Sequence, residues 1–559
     1  MHRFQRLATR RQFLVSSTAT LASVALGAPS AHALGTHVSH LRLPRTAAAR
    51  RTTPGQWLPP TSSAEQFRAL ALVAMEAARG AGADFADIRM GVQRDFAAFG
   101  VGITVGYGVR ACVNGTWSFQ AGTTLTSDAV ALAARTAVSD ACTASVVNAK
   151  LHQPRGLDWA HTPVVSGEWR SPVDVDPFAV TLNDYIHVSR AAAEVGRRLG
   201  EGVETNCIIG WQIETRVFAS TDGSLVTQEW TRGGALLSAT AVLPNPDEQV
   251  EIVVPDVVRH SVGFEAALDP AIPERLTVAA EQAIRWRELR QSPFTDVGRY
   301  SVVLDGAAMA GVLGYTVSNA LDGDRVADFE ADASGRSFLT PVAEIVAATT
   351  PQFSPLLTMT SGRTAPSLTA VQWDDDGVVP DSYTLIERGR VIDYHTTRET
   401  APHVAACYAA HTQPLRSHGR CLAPTPGSVP MSFGGDVRVN PGSERVSVDD
   451  LMRDMGRGFC VMGASVRASP GLTGGFIRSP LVVEVQQGKP VRRLRNVWFA
   501  FTIKSVASKA LVALGDARTL GTATVTTQKG MPWQTMEYPM TAPAAFCKEV
   551  DVVRMDISA

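Results

Sequence analysis

Residues 101–123 constrain the fold most, because apolar residues alternate with polar or small residues on both sides of Asn114-Gly115. Alternation with a period of two is typical of strands that bury one face, and Asn-Gly favours a tight two-residue turn. A similar segment, residues 213–234, turns at Asp222-Gly223. The first half of the chain is therefore predicted to contain antiparallel hairpins.

Helices are predicted between these hairpins. Ser62 and Glu65 fit a capping box ahead of apolar residues at helical spacing. Two more helices are predicted over Ser127–Ala141 and over Pro273–Leu289, the latter with proline at its first position. The sequence thus predicts a helix-and-hairpin N-terminal domain over residues 61–292.

Beyond residues 293–298 the pattern shifts towards short strands and glycine turns. A β-rich C-terminal domain is predicted over residues 293–559, which makes the chain α+β. A length of 559 residues with 45% hydrophobic content suits two or three domains with sizeable cores. The net charge of −1 gives no electrostatic case for a nucleic-acid partner.

The first 33 residues resemble a twin-arginine signal peptide. Thr9–Leu14 reads "TRRQFL", an apolar run follows to Leu26, and Ala31–Ala33 offers small residues for cleavage. An amphipathic N-terminal arm is the alternative. We expect export to the periplasm or the extracellular space, a linker over residues 34–60, and no membrane span after cleavage.

Seven cysteines occur without a C-x-x-C motif. An exported chain of this size can form disulfides but does not need them. Most of the cysteines are therefore expected to be buried small apolar residues, with one bridge among Cys407, Cys421 and Cys460 as a candidate.

Nine short segments in the same order resemble the TldD/PmbA family, metallopeptidase-like proteins also described as modulators of DNA gyrase. The resemblance spans roughly residues 62–525. It rests on the segments "GADFADIRM" (82–90), "GYGVRACVNGTWSF" (106–119), "FASTDGS" (218–224), "VVLDGAA" (302–308), "DDDGVVPDSYTLIERGRV" (374–391), "RETA" (398–401), "SHGR" (417–420), "VNPGSERVSVDDLM" (439–452) and "QQGKPVRRLRNV" (486–497).

The resemblance implies a two-domain protein that forms homo- or heterodimers with a TldD/PmbA-type subunit around an enclosed cavity. The TldD-type subunit is a zinc peptidase that binds unfolded peptides as an added strand. The PmbA-type subunit lacks the metal site and serves as its partner. Export makes DNA gyrase an implausible partner for this chain.

In TldD-type proteins the zinc site lies on a helix with His-Glu-x-x-x-His, and a cysteine near the C-terminus is a further ligand. The strand 302–305 and the turn Asp322–Arg325 fix the register here, so these positions fall on Gly314, Tyr315 and Asn319. The stretch 521–534, where the cysteine would fall, has no thiol. Glycine cannot ligate through a side chain, and asparagine and tyrosine are poor zinc ligands. The resemblance therefore implies a degenerate zinc site and no cofactor.

Several His, Cys and Asp residues outside the zinc motif are further candidate site residues. His403, Cys407 and His411 have i, i+4, i+8 spacing, which would give one stripe on a helix and a relocated zinc site, with His418 close by. An apolar helix with incidental His and Cys is the favoured interpretation. Asp374–Asp376 is interpreted as a turn rather than as paired carboxylates. The family's cavity position makes His395, Arg398 and His418 candidate peptide contacts.

Three functions remain open from the sequence. The leading hypothesis is an exported homologue without the standard zinc ligands, a non-catalytic subunit that binds peptide or pairs with a zinc-bearing homologue. The second is an active metallopeptidase with relocated ligands, acting in proteolysis of unfolded peptides. The third is a purely structural dimer.

Overall fold

The computed structural model describes most of the chain after residue 63. The described ranges are 64–97, 100–151, 158–244, 249–254, 262–293, 296–330, 335–363, 367–443, 445–495, 497–530 and 532–553. The predicted signal peptide, the predicted linker and Ser62 of the predicted capping box lie outside these ranges.

Ten α-helices occur in the described residues. They are α1 Ala64–Gly80, α2 Ser127–Leu151, α3 Leu182–Leu199, α4 Ile272–Arg287, α5 Gly306–Leu313, α6 Gly323–Val326, α7 Val342–Ala347, α8 Ala405–Ala410, α9 Val448–Met455 and α10 Ile503–Val506. A π-helical turn, Gly314–Ser318, follows α5 directly, and 3₁₀ turns cover Phe264–Ala267, Ala401–Val404 and Ala517–Thr519.

The strands of the N-terminal half are β1 Phe85–Ala97, β2 Gly100–Val113, β3 Thr116–Gly122, β4 Ser166–Arg170, β5 Val203–Ser220, β6 Leu225–Ala241 and β7 Val250–Val253. They form a seven-stranded sheet of order β3-β2-β1-β5-β6-β4, with β7 paired to β6. All neighbours are antiparallel except β4 and β6. Helix α1 packs on β1 and β5, and α2 packs on β2 and β3.

The remaining strands are β8 Gln291–Pro293, β9 Gly298–Leu304, β10 Met359–Gly362, β11 Tyr383–Glu387, β12 Arg390–Val391, β13 Cys421–Leu422, β14 Met431–Ser432, β15 Asp436–Val439, β16 Gly458–Met462, β17 Ser465–Ala468, β18 Gly474–Arg478, β19 Leu481–Gln486, β20 Lys489–Arg495, β21 Trp498–Thr502, β22 Leu511–Leu514, β23 Gly521–Lys529, β24 Gln534–Ala542 and β25 Ala545–Val553. One sheet has the order β12-β11-β10-β15-β24-β23. A larger one has the order β17-β18-β21-β25-β9-β16-β19-β20-β8, with β22 on β25.

Helix α5 connects these two C-terminal sheets. It leaves the central strand β9 of the larger sheet, contacts β16 and β17 there, and packs against β23 and β24 of the other sheet. Nearly all its side chains are buried in the main C-terminal core. The predicted α+β architecture, with a β-rich C-terminal region, is thereby confirmed.

The predicted turns and helices are found with shifted ends. Asn114 and Gly115 both have positive φ, and Gly223 in the second hairpin has φ +105°. Helix α2 continues to Leu151, ten residues beyond the predicted end, because no glycine or proline stops it after Ala141. Proline at the start of α4 is confirmed at Pro273.

The sequence predicts no membrane span after signal cleavage, and helix α2 is the described helix that must be compared with this prediction. Its segment Ser127–Ala149 is long and apolar enough to cross a membrane, judged by length and composition within the described residues. The core helices of soluble proteins meet the same criteria, and Val130, Ala134 and Ala141 of α2 are buried in the N-terminal core.

The candidate disulfide is not formed. All seven cysteines are free, and six of them, including Cys407, Cys421 and Cys460, are buried. Cys460 lies in β16 and Cys421 in β13, which belong to different sheets. The favoured interpretation of cysteine as a small buried residue fits the structure, with exposed Cys142 as the exception.

Candidate functional site

The candidate site is the junction between α5 and the turn that follows it. Asp305 caps α5 by accepting from Ala308 N at 2.7 Å, and its other carboxylate oxygen accepts from Gly463 N at 2.8 Å. Burial raises the pKa of Asp305 to about 6. After Leu313 the helix widens into the π-turn Gly314–Ser318. Such turns are rare in helices and often occur at functional sites.

The hairpin β23–β24 covers this turn. A Cβ atom on Gly314 would overlap Val525 Cγ2 and lie 3.4 Å from Met540 Cβ. Strand β23, Gly521–Lys529, belongs to the stretch 521–534 in which the resemblance would place the cysteine, and it packs over Gly314. Both halves of the predicted site meet in space.

Tyr315 and Asn319 bond to the same hairpin. The Tyr315 hydroxyl accepts from Thr526 N at 3.1 Å, and Asn319 Oδ1 accepts from Thr527 Oγ1 at 3.3 Å. Buried Tyr538 donates to Gly314 O at 2.9 Å, and its hydroxyl lies 3.1 Å from Ser318 Oγ. The polar groups released by the wide turn are thus satisfied by β23 and β24.

Tyr538→Phe is expected to lower the free energy of unfolding by about 1–3 kcal/mol, because it leaves buried acceptors of the π-turn without their donor. Urea unfolding followed by tryptophan fluorescence measures this loss. Tyr394→Phe is the matched control, since the Tyr394 hydroxyl is also buried and donates to a single carbonyl, Leu339 O, at 3.1 Å. A smaller loss for Tyr538→Phe than for the control would contradict this role.

Below the turn, Lys529 is completely buried between two carboxylates. Its ammonium lies 2.9 Å from Asp322 Oδ2 and 2.8 Å from Asp324 Oδ2, and it also donates to Ser432 O. Burial raises the pKa of Asp324, and the nearby Lys529 charge opposes this shift. The cluster ties the end of β23 to the acidic turn that follows Asn319.

His395 lies against the other side of the turn. Its Nε2 is 3.4 Å from Ser318 Oγ, and its Nδ1 is 2.7 Å from the Tyr383 hydroxyl. Burial, with the positive charge of Arg420, lowers the pKa of His395 well below its usual value. The imidazole is therefore neutral at physiological pH, and its backbone bonds to Leu321 and Gly323 hold it beside the acidic turn.

His418 stacks on Tyr383 with ring centroids 3.6 Å apart. Its Nδ1 is 2.6 Å from Asp381 and its Nε2 is 3.1 Å from Asp393. Burial lowers its pKa, but hydrogen bonds to the two carboxylates prevail and raise it. His395 and His418 thus both contact Tyr383. The pKa of His395 is lowered and the pKa of His418 is raised.

Arg398, the third predicted peptide contact, packs against Trp159 and Ala160. Its guanidinium stacks 3.4 Å from the Trp159 ring centroid, and Nε donates to Ala160 O at 3.1 Å. Its backbone carbonyl accepts from Ala160 N. These contacts join the two halves of the chain and fix Arg398 against Trp159 and Ala160.

Asp374–Asp376 form a buried turn, as predicted. Asp374 accepts from the backbone N–H groups of Asp376, Val378 and Cys421. The other two pair with arginines of the N-terminal sheet: Asp375 Oδ2 lies 2.6 Å from Arg216 Nη1, and Asp376 Oδ1 lies 2.7 Å from Arg110 Nη2. The three aspartates thus hold this turn together and connect it to the N-terminal sheet.

The alternative stripe of His403, Cys407 and His411 is present only in part, because Cys407 Sγ lies 3.7 Å from His411 Nδ1 but His403 belongs to a different turn. His403 belongs to a 3₁₀ turn and contacts the Phe329 ring, whereas Cys407 belongs to α8. His411 Nδ1 lies 2.9 Å from Cys407 O, which is a bond to the backbone. Within the described residues no three His, Cys, Asp or Glu side chains are grouped as a metal site requires.

Zinc does not fit the side chains at the family's metal positions. Gly314 offers none, Tyr315 bonds to Thr526, and Asn319 bonds to Thr527. Cys547 lies in β25 opposite Val302, with its Sγ against Val506 O, and burial raises its pKa to about 12.

Sequence reasoning missed Lys529 and Tyr538. A usable signal exists for Lys529, because the alternation of β23 places it on the same face as Val525 and Thr527. A lysine on the inward face of a strand requires buried carboxylates, and Asp322 and Asp324 were visible as the acidic turn. Tyr538 carries no comparable signal.

Comparison with known proteins shows what the sequence and the fold of this chain resemble. Residues 297–553 match the family model of the PmbA/TldA metallopeptidase C-terminal domain. A search of curated protein sequences gives no significant match.

Solved structures share the fold over most of the chain. TldE from Thermococcus kodakarensis aligns with a TM-score of 0.60 and 15% identity, covering 87% of this chain and 100% of TldE. A proposed modulator of DNA gyrase from Thermotoga maritima aligns with a TM-score of 0.58 and 12% identity, covering 87% and 100%. Another from Bacteroides thetaiotaomicron aligns with a TM-score of 0.58 and 13% identity, covering 88% and 100%. This chain thus resembles TldD/PmbA-type proteins in the sequence of its C-terminal domain and in its fold.

Proposed function

We propose that this chain is an exported, non-catalytic TldD/PmbA-type subunit that binds peptide or pairs with a zinc-bearing homologue. The observation that carries the proposal is the packing over the π-turn. Val525, Thr526 and Thr527 fill the space and bond the groups where His-Glu-x-x-x-His would place its imidazoles and carboxylate. Metal-assisted hydrolysis needs an open coordination position and a base, and neither is offered there.

The peptide part of the proposal is supported by the position of β23. Among the described strands, β23 ends its six-stranded sheet, beside Tyr315. An edge strand presents N–H and C=O groups to which an extended peptide can add. Tyr315 takes one of these N–H groups, that of Thr526, so a peptide entering this edge would displace the tyrosine.

Metal analysis of the purified mature protein, without added metal, tests the non-catalytic assignment. We expect less than stoichiometric zinc and co-purification with a homologue that carries His-Glu-x-x-x-His. Stoichiometric zinc that disappears in His403→Ala or His411→Ala would overturn the proposal and favour the relocated metal site. A like dimer with no peptide affinity would favour the purely structural function.

Gly314→His tests the packing directly. The imidazole must displace Val525, so we expect the free energy of unfolding to fall by about 1–3 kcal/mol, as in overpacked cores. Gly314→His combined with Val525→Ala should recover part of the loss in urea unfolding. Equal stability of Gly314→His and the wild type would show that the space above the turn is open.

A further inference from the structure

Arg363, Arg420, Arg232 and Trp230 are among the described residues whose buried donors have no acceptor. Arg363 is 2% exposed and Arg420 is 1% exposed. Arg363 Nη2 donates to Phe433 O at 2.6 Å and to Gly434 O at 3.1 Å, but its Nε and Nη1 have no acceptor among the described residues. Arg420 Nη1 lies 3.3 Å from Ser361 Oγ, while its Nε and Nη2 also have no acceptor there.

Two further donors come from β6 of the N-terminal sheet. Arg232 Nε and Nη2 and the Trp230 indole Nε1 are buried without an acceptor in the described part of the chain. The Arg232 guanidinium lies over the Trp230 ring at 4.8 Å, and Trp230 packs against Leu422, two residues after Arg420. Two carboxylate oxygens, Glu214 Oε2 and Asp375 Oδ1, are also buried without a donor in the described residues, and both acids act electrostatically on Arg232. The unmatched donors come from both halves of the chain.

The positive charge on Arg363 and Arg420 is not balanced by carboxylates, whereas Glu214 and Asp375 act on Arg232. Neither Arg363 nor Arg420 forms an ion pair with a described residue. Asp374 is the acid that acts on Arg363, but burial and Asp376 raise its pKa well above the usual value, and its oxygens accept backbone N–H groups. Burial and the neighbouring Arg420 lower the pKa of Arg363 to about 9. Adjacent buried guanidinium groups without an anion are unfavourable, and a bound oxyanion would offset this cost.

The geometry of the free nitrogens indicates the ligand class. In Arg420 and Arg232 the unmatched pair is Nε with Nη2, the edge of a guanidinium that binds two oxygens in parallel. We propose that Arg420, Arg363 and Arg232 form a binding site for an oxyanion, either the C-terminal carboxylate of an extended peptide or a free phosphate-like ion. This site goes beyond the proposed function, because it does not depend on whether zinc is bound at Gly314–Asn319.

Thermal unfolding of the full mature protein tests the site, with sodium phosphate compared against sodium chloride at equal ionic strength. We expect phosphate to raise the Tm of the wild type, and Arg420→Met and Arg363→Met to abolish that rise. Both variants should be at least as stable as the wild type in chloride, since each removes an unbalanced buried charge. Arg325→Met is the matched control, because Arg325 is equally buried, has Nε and Nη2 unmatched among the described residues, and bonds to Gly335 O outside the proposed site.

A second arm identifies the source of the oxyanion. An unstructured peptide with a free C-terminus is titrated against the same peptide with an amidated C-terminus. Stronger binding of the free form, on the order of 10- to 100-fold, that is lost in Arg420→Lys supports the peptide carboxylate. Equal binding of both peptides, together with a phosphate-dependent rise in Tm, supports the free ion.

Two results would overturn the site altogether. One is a wild-type Tm that does not respond to phosphate, combined with equal binding of the two peptides. The other is a response that Arg420→Met and Arg420→Lys both retain. Neither result bears on the metal analysis above, so failure of this site and failure of the non-catalytic assignment are distinguishable.

Discussion

Lys529→Met is expected to lower the free energy of unfolding by about 3–5 kcal/mol, the usual loss when one partner of a buried ion pair is removed. Methionine keeps much of the apolar stem but leaves the carboxylates of Asp322 and Asp324 without a cation. Each carboxylate retains one weaker donor, Ser432 Oγ for Asp322 and the backbone N–H of Arg325 for Asp324. These donors cannot balance two buried negative charges.

Urea unfolding measures the loss, with Lys504→Met as the control because Lys504 is exposed. The control should change the free energy of unfolding by less than about 0.5 kcal/mol. Adding Asp324→Asn to Lys529→Met should restore part of the stability, since it removes one unpaired charge. A Lys529→Met variant within about 1 kcal/mol of the wild type would show that this cluster does not hold β23 against the acidic turn.

The sequence predicts best those features of the fold that neighbouring residues determine. The turn at Asn114-Gly115 and proline at the start of α4 follow from neighbouring residues, and the structure confirms both. The alternative metal-binding stripe from His403 to His411 is interrupted, and the reason is also local. Pro402 starts a 3₁₀ turn, so helical spacing does not hold across the segment.

The candidate site is only partly local. The resemblance assigns Gly314, Tyr315 and Asn319 to the metal positions, and the structure places these three residues on one helical segment. The π-turn itself has no sequence signal that separates it from an α-helix. The arginine site is less accessible still. Arg232, Arg363 and Arg420 come from three distant segments, and each alone resembles an ordinary surface arginine until the fold buries it.

Arg216→Met is expected to lower the free energy of unfolding by about 3–5 kcal/mol as well, because Arg216 joins two buried carboxylates, one from each half of the chain. Its Nη1 lies 2.6 Å from Asp375, and its Nε donates to Glu214 at 2.7 Å. All three side chains are about 1% exposed. Loss of the guanidinium therefore weakens β5 and the Asp374–Asp376 turn together.

This loss should depend on pH with a defined sign. Burial already raises the pKa of Glu214 to about 7, and removal of Arg216 raises it further. A carboxyl group whose folded pKa exceeds its unfolded value, about 4.3, loses stability as pH rises between the two values. Arg216→Met should therefore differ most from the wild type above pH 7 and least near pH 4.

Urea unfolding at pH 5, 7 and 8.5 measures this dependence. Arg170→Met is the matched control, because Arg170 pairs with Glu229 at 3.0 Å while its own side chain is 76% exposed. The control should lose at most about 1 kcal/mol at every pH, as exposed ion pairs do. A loss in Arg216→Met that is equal at all three pH values would mean that Glu214 and Asp375 find other cations. Arg232, whose guanidinium interacts electrostatically with both carboxylates, is the nearest candidate. In that case Arg232, one of the three arginines of the proposed oxyanion site, would also be needed to hold the two halves of the chain together.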